Sequence, residues 1–139
     1  MTSGTDNGYL DGDQLRRDIM GDGWVDSSNS GSTDALAHFS RLAGLHAWNA
    51  FWARPGLELR IRSALTIGAM TAMEATDELS THIQGSLRCG LLKPEEIREV
   101  LLHLIPYLGF LRVRQAIVVV NDILAEAEAA SGSASPGAN

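Results

Sequence analysis

The chain has 139 residues and a mass of 14.9 kDa, the material of one domain and enough to bury roughly two-thirds of its unfolded surface. Apolar residues make up 45% and charged residues 20% of it, so a packed core is expected and global disorder is excluded. The formal net charge is -6, and no run of Lys or Arg is available to track a phosphate backbone, which makes nucleic acid a poor partner.

The single cysteine, Cys89, has no partner for an intrachain disulfide, and one cysteine with four histidines falls short of a zinc framework. No metal is expected, and reducing, cytoplasmic conditions fit best. The opening MTSGTDNGYLDGD carries acids and glycine where an export signal needs a basic patch and an apolar run. The longest apolar stretch, Ala116 to Val120, has five residues, against the ~20 that cross a bilayer as a helix. A membrane is therefore not an expected partner.

In chain order, residues 1–13 read as a flexible N-terminus and residues 131–139 (SGSASPGAN) as a flexible tail, which leaves 14–130 as the domain. A short helical pattern covers Gln14 to Met20. The stretch Gly21 to Ser32 (GDGWVDSSNSGS) reads as a loop that Trp24 and Val25 pin to the body. From there Leu36, Phe39, Leu42, Ala43, Ala47, Ala50 and Phe51 recur at helical steps, with Thr33 or Ser32 as the cap and Pro55-Gly56 as the stop.

A third helix is expected from about Leu57 to Met73, with Leu57, Ile61, Leu65, Gly68, Ala69 and Ala72 on its inner stripe. Thr76 caps a fourth, with Asp77 and Glu78 at its positive end, and Gly90 ends it. Pro94 opens a fifth that runs to Gly109, bent by Pro106 in its last turn. The last helix runs from about Arg112 to Ala129. Its Ile117 to Val120 run is β-branched, but no second strand-like segment exists to pair with it. The fold class is all-α, a bundle of about six helices.

Few side chains have the makings of chemistry. His82 sits at the edge of the stripe Leu79, Ile83, Leu87, either as a core histidine held by a backbone carbonyl or as a general acid. His103 and Tyr107 are four apart and share a helix face, as a seam pair or as converging donors. Arg54, Arg60, Arg62, Arg112 and Arg114 are mostly surface by ordinary expectation, although one or two turned inward would grip a carboxylate. Trp48 and Trp52, one helical turn apart, pack a core or wall a pocket. No GxSxG elbow, P-loop, dinucleotide fingerprint or HExxH is present.

Six short elements then fall in register. They are Leu15-Arg16-Arg17-Asp18-Ile19-Met20-Gly21-Asp22, Trp48-Asn49-Ala50-Phe51-Trp52-Ala53-Arg54-Pro55-Gly56-Leu57 with Arg60-Ile61-Arg62-Ser63, Glu78-Leu79-Ser80-Thr81-His82, Leu87-Arg88-Cys89-Gly90, Pro94 through His103, and Tyr107-Leu108-Gly109-Phe110. Together they resemble the carboxymuconolactone decarboxylase family, within the AhpD-like superfamily, over about residues 15–125. The resemblance implies an AhpD-like helical bundle, cofactor-free and assembled as a homo-oligomeric ring, often a trimer or hexamer. The superfamily's peroxidase branch uses a CxxC pair that this chain lacks, so the decarboxylase branch is expected.

That branch's reference reaction, in aromatic catabolism, converts 4-carboxymuconolactone, a small anionic lactone, to 3-oxoadipate enol-lactone and carbon dioxide. By the same resemblance His82 is the proton donor, Arg54 and Arg62 are carboxylate or oxyanion contacts, His103 and Tyr107 are secondary donors, and Trp48 and Trp52 line the substrate. Two alternatives are a paralogue recruited to isomerise, cyclise or decarboxylate a biosynthetic intermediate, and a non-catalytic assembly protein. The chain departs from the family pattern at Asn49, where glycine is common, and at Phe110-Leu111, where a proline often follows the glycine.

Overall fold

A computed structural model describes residues 11–31 and 33–133. The flexible segments expected at 1–10 and 134–139, and Ser32 as an alternative cap, lie outside the described residues. Every regular element among the described residues is helical, as the sequence predicts. The elements are α1 (Gly12–Met20), α2 (Asp22–Ser30), α3 (Asp34–Ala43), a π-helical segment (Gly44–Trp52), α4 (Leu59–Met73), α5 (Thr76–Arg88), α6 (Pro94–His103), α7 (Ile105–Leu108) and α8 (Phe110–Ser133). Helix thus begins before Gln14 and continues past Ala129. The chain forms two compact units, one ending at Arg62 and one beginning at Ser63.

In the first unit, Asp11 caps α1 by accepting the N–H of Asp13 at 2.8 Å. The helix buries Gly12, Leu15, Arg16, Ile19 and Met20 on one face. Gly21, at φ +90°, ends it and leads directly into α2. The expected loop at Gly21 to Ser32 is therefore wrong. Its Ser, Asp, Asn and Gly content is unfavourable to helix, but tertiary contacts outweigh that preference. Val25 is fully buried, and Arg17 clamps Asp26 at 2.9 Å and Asp22 at 3.3 Å while also holding Asp13 at 3.0 Å.

Thr33 caps α3, accepting the N–H of Leu36 at 3.3 Å. The helix runs on without a break into the π segment, whose last turn closes with the N–H of Ala53 on the carbonyl of Trp48, five residues back, at 2.9 Å. Here the expected inner face is corrected. Leu36, Phe39, Leu42 and Phe51 are exposed, Phe39 by 69%, while the buried positions are Ala37, Ser40, Gly44 and Trp48. Apart from Trp48 the inward side chains here are small or polar, and α1 packs closely against the π segment. The backbone N–H of Gly12 donates to Asn49 Oδ1 at 2.6 Å, and a Cβ at Gly12 would collide with the backbone of Trp48 and Asn49.

The second unit is built around Ile67, Leu79, Ile83, Leu92, Ile97, Leu101, Val113, Ala116, Val120 and Leu124. On α4 the buried positions are Ser63, Ile67 and Thr71, not the expected stripe, and Leu65 is 61% exposed. The burial of Thr71 carries no unmet polar group, because its Oγ1 donates to the carbonyl of Ile67 at 2.8 Å. Ala75, not Thr76, occupies the cap position of α5, with Asp77 and Glu78 in the first turn as expected. Gly90, at φ +65°, turns the chain after it.

Lys93 N–H donates to the Glu96 carboxylate at 2.9 Å, and Pro94 opens α6. The expected fifth helix is in fact two. Pro106 has no N–H to continue the ladder, so α6 stops at His103 and the single turn α7 follows. The β-branched run of α8 is helical, with Val113, Ala116, Val120 and Leu124 buried at steps of three and four. Arg98 pairs with Glu128 through Nη1 and Nη2, tying α6 to the far end of α8. With α2, α7 and the π segment added, the expected six helices become eight α-helices and one π segment among the described residues.

Replacing Gly12 with alanine drives a methyl group into backbone that cannot retreat. Denaturant unfolding of Gly12→Ala should show a loss of about 1–3 kcal/mol, the scale of overpacking. Alanine at the open position Gly23, where nothing lies within 4 Å of a Cβ, should cost nothing.

Candidate functional site

In the second unit, α5 carries His82 one turn after Glu78, on the edge of the face that buries Leu79 and Ile83. The imidazole is half-buried. Burial lowers its pKa below the usual 6.5, and the nearby carboxylate of Glu78 opposes that shift. At neutral pH the ring is therefore predominantly uncharged. His103 ends α6 and Tyr107 lies on α7, so the break at Leu104 falls between them. Their rings still meet, with centroids 5.6 Å apart and planes at 53°. Both are exposed, Tyr107 by 74%.

In the first unit, Trp48 and Trp52 stack with centroids 4.9 Å apart and planes at 23°. Trp48 is buried and Trp52 half-buried. Arg54 is exposed just before the Pro55-Gly56 turn. Arg62 holds that turn from the start of α4: its Nη2 donates to the carbonyl of Arg54 at 2.8 Å and its Nε to that of Leu57 at 3.2 Å. The structure thus joins Trp48 to Trp52, Arg62 to the backbone of Arg54, and His103 to Tyr107.

The sequence reading missed Arg16. Its side chain is only 2% exposed, with Nη2 donating to Ser40 Oγ at 2.9 Å and Nη1 to Asn29 Oδ1 at 3.2 Å. The Trp24 ring centroid lies 5.6 Å from its Cζ. A cavity of about 400 Å³ opens beside it, lined also by Asp11, Asp13, Asn29, Arg41, Gly44, Leu45 and Asn49. Burial lowers the pKa of Arg16, the charge of Asp13 opposes this and that of Arg17 adds to it; an arginine nevertheless stays charged. A signal was present: Arg16 shares the inward face of α1 with Gly12, Leu15, Ile19 and Met20, where a charge is out of place.

No group of three His, Cys, Asp or Glu side chains that could hold a metal ion occurs among the described residues. No helix among them is long and apolar enough to cross a membrane. Cys89 is exposed at the end of α5.

A family model described as the carboxymuconolactone decarboxylase family matches residues 37–122. The chain is 31% identical over 124 residues to the nitrosuccinic acid decarboxylase npaB of Metarhizium robertsii, covering 86% of each chain. It is 32% identical over 101 residues to the 4-carboxymuconolactone decarboxylase of Acinetobacter baylyi, covering 73% of this chain and 75% of that one.

The lowered pKa of His82 makes stability depend on pH with a definite sign. As pH falls through 6.5, the unfolded chain takes up a proton at this site before the folded chain does, so acidification favours unfolding. The contribution is fully present above pH 6.5 and is lost towards the lower folded pKa. His82→Gln should flatten this part of a stability profile measured by urea unfolding between pH 7.5 and 5.

Proposed function

The chain belongs to the carboxymuconolactone decarboxylase family and is a carboxy-lyase of it; we propose that its substrate is a small acid with two carboxylate-type groups, one of which leaves while the substrate itself takes up the electrons. The similarity to two decarboxylases acting on different compounds carries this reading. In 4-carboxymuconolactone, the departing carboxylate sits on a ring carbon joined through a C=C bond to the lactone carbonyl, so the electron pair left behind spreads into an oxyfuran-like dienolate. In nitrosuccinic acid a nitro group beside a carboxylate can take the pair as a nitronate. Either electron sink lies within the substrate, and the protein needs no cofactor to provide one.

Three tasks remain for side chains: holding the retained carboxylate, stabilising the growing oxyanion, and protonating the carbon. A preorganised donor at an oxyanion contributes about 3 kcal/mol, and a placed general acid accelerates roughly 10²–10⁴-fold. His82 is assigned the proton transfer, because its imidazole is half-buried and partly desolvated rather than solvated. His103 and Tyr107, ring against ring, are secondary donors. Trp48 and Trp52 are wall residues. Arg54 is a carboxylate contact, and Arg62 acts through the turn whose carbonyls it holds.

The reference substrate remains 4-carboxymuconolactone. One observation favours a nitro acid instead: the nitrosuccinic acid decarboxylase aligns over 124 residues against 101 for its counterpart. Assembly as a ring, a trimer or hexamer, is part of the same proposal. Leu36, Phe39, Leu42, Leu45 and Phe51 present an exposed apolar face of the kind a second copy covers.

Incubation with 4-carboxymuconolactone and, separately, with nitrosuccinate should release carbon dioxide from one of them. Loss of substrate without carbon dioxide would point to isomerisation or cyclisation. His82→Ala should lower kcat at least ~100-fold while remaining folded. With His82 as the acid, kcat should fall as pH rises through an apparent pKa below 6.5. A folded His82→Ala enzyme with full activity overturns the role.

A further inference from the structure

The guanidinium of Arg16 carries a charge inside the first unit and forms no ion pair among the described residues. Its two hydrogen-bond acceptors are neutral: Asn29 Oδ1 and Ser40 Oγ. Those acceptors are themselves fixed, since Ser40 Oγ donates to Asn29 Oδ1 at 3.0 Å and lies 2.7 Å from Ser28 Oγ. Nε is buried and has no partner. Of the five N–H groups on a guanidinium, two are engaged by these bonds.

A buried charge left in this state is costly unless something pairs with it. The nearest sequence candidates are otherwise engaged. Asp13 is bridged to Arg17 at 3.0 Å, and Asp11 Oδ1 accepts the N–H of Asp13. Neither carboxylate forms an ion pair with Arg16, and both line the same cavity.

The cavity also receives Arg41, an exposed residue of α3. Its Nη2 lies 3.3 Å from His38 Nδ1, and no carboxylate among the described residues bridges it. A volume of about 400 Å³ is within the size range of a small-molecule site. Gly44 keeps the space open beside the guanidinium, because a Cβ there would stand 2.9 Å from Arg16 Nη1. Arg17, the neighbouring arginine, offers the contrast: three carboxylates surround it, so it has no charge left to offer a ligand.

We propose that this cavity is a binding site for a small dicarboxylate, one carboxylate on the buried Arg16 and the other at the Arg41 rim. A carboxylate supplies two acceptors for the unengaged N–H groups and the missing negative charge. The assignment concerns the first unit alone and does not depend on which acid is decarboxylated.

Calorimetric titration of the full chain with succinate tests it, with succinamide as the neutral control and inorganic phosphate as the competing anion. Succinate should bind saturably at one site, tighter than phosphate, and succinamide should not bind. Arg16→Gln should weaken succinate about tenfold or more, the equivalent of ~1.4 kcal/mol. Arg16→Lys, which keeps the charge but not the fork, should recover part of that loss. Should Arg16→Gln fail to fold, Arg41→Glu keeps the proposal open to refutation, since it changes only an exposed side chain and should weaken succinate by a similar factor. Absence of saturable succinate binding, phosphate binding as tightly as succinate, or affinity unchanged in the folded variants would each overturn the site. Succinate binding in a chain that decarboxylates neither test acid would leave this site standing and refute the substrate proposal; decarboxylation without succinate binding would do the reverse.

Discussion

A guanidinium removed from water needs acceptors on several sides at once, and meeting that need organises the first unit. Arg16 projects from α1 and is met by Asn29 of α2 and Ser40 of α3, with Trp24 of α2 over its face. Three helices that carry few large inward side chains are thereby held in one arrangement. The same requirement explains why Ala37, Ser40 and Gly44 face inward on α3 and the π segment while Phe39 and Leu42 do not. Bulk at those inner positions would displace the hydrogen bonds and strand the charge.

The π segment extends this logic. Its wider turn brings the backbone at Asn49 against Gly12, where Asn49 Oδ1 accepts an N–H that the start of α1 would otherwise leave open. Asn49 stands where the resembling family commonly has glycine, and here it joins the start of α1 to the end of the π segment. It also lines the cavity beside Arg16, so the departure from the family pattern bears on both the packing of α1 and the wall of that cavity.

The second unit rests on different physics. Its core is aliphatic and continuous across α4 to α8; of the polar side chains buried with it, Thr71 is satisfied within its own helix, whereas Ser86 Oγ is buried without a hydrogen-bond partner. His82 lies at the margin of that core, where desolvation favours the neutral ring. An imidazole in such a place is easily protonated or deprotonated by small changes around it, a property that suits proton transfer.

Much of this was legible in the residues. Helical periodicity, the caps at Thr33 and Pro94 and the stop at Gly90 follow from local chemistry, which acts over a few neighbouring residues, and the absence of a partner strand excluded a sheet for Ile117 to Val120. The family motifs marked Arg54, Arg62, His82, His103 and Tyr107 by type and order. Which face of α3 and α4 turns inward was beyond such reading, because both faces carry apolar residues and the choice is made by the elements packed against them. The helix at Asp22 to Ser30 was likewise decided by packing: Val25 is fully buried, and Arg17 of α1 reaches across the Gly21 turn to Asp22 and Asp26. The sequence by itself determined an all-helical chain with the family's order of motifs, since turn periodicity and capping are properties of short segments. Only the tertiary structure decided that Arg16 is buried beside a cavity with no ion pair among the described residues, because burial is a relation between α1, α2 and α3 that no single segment contains.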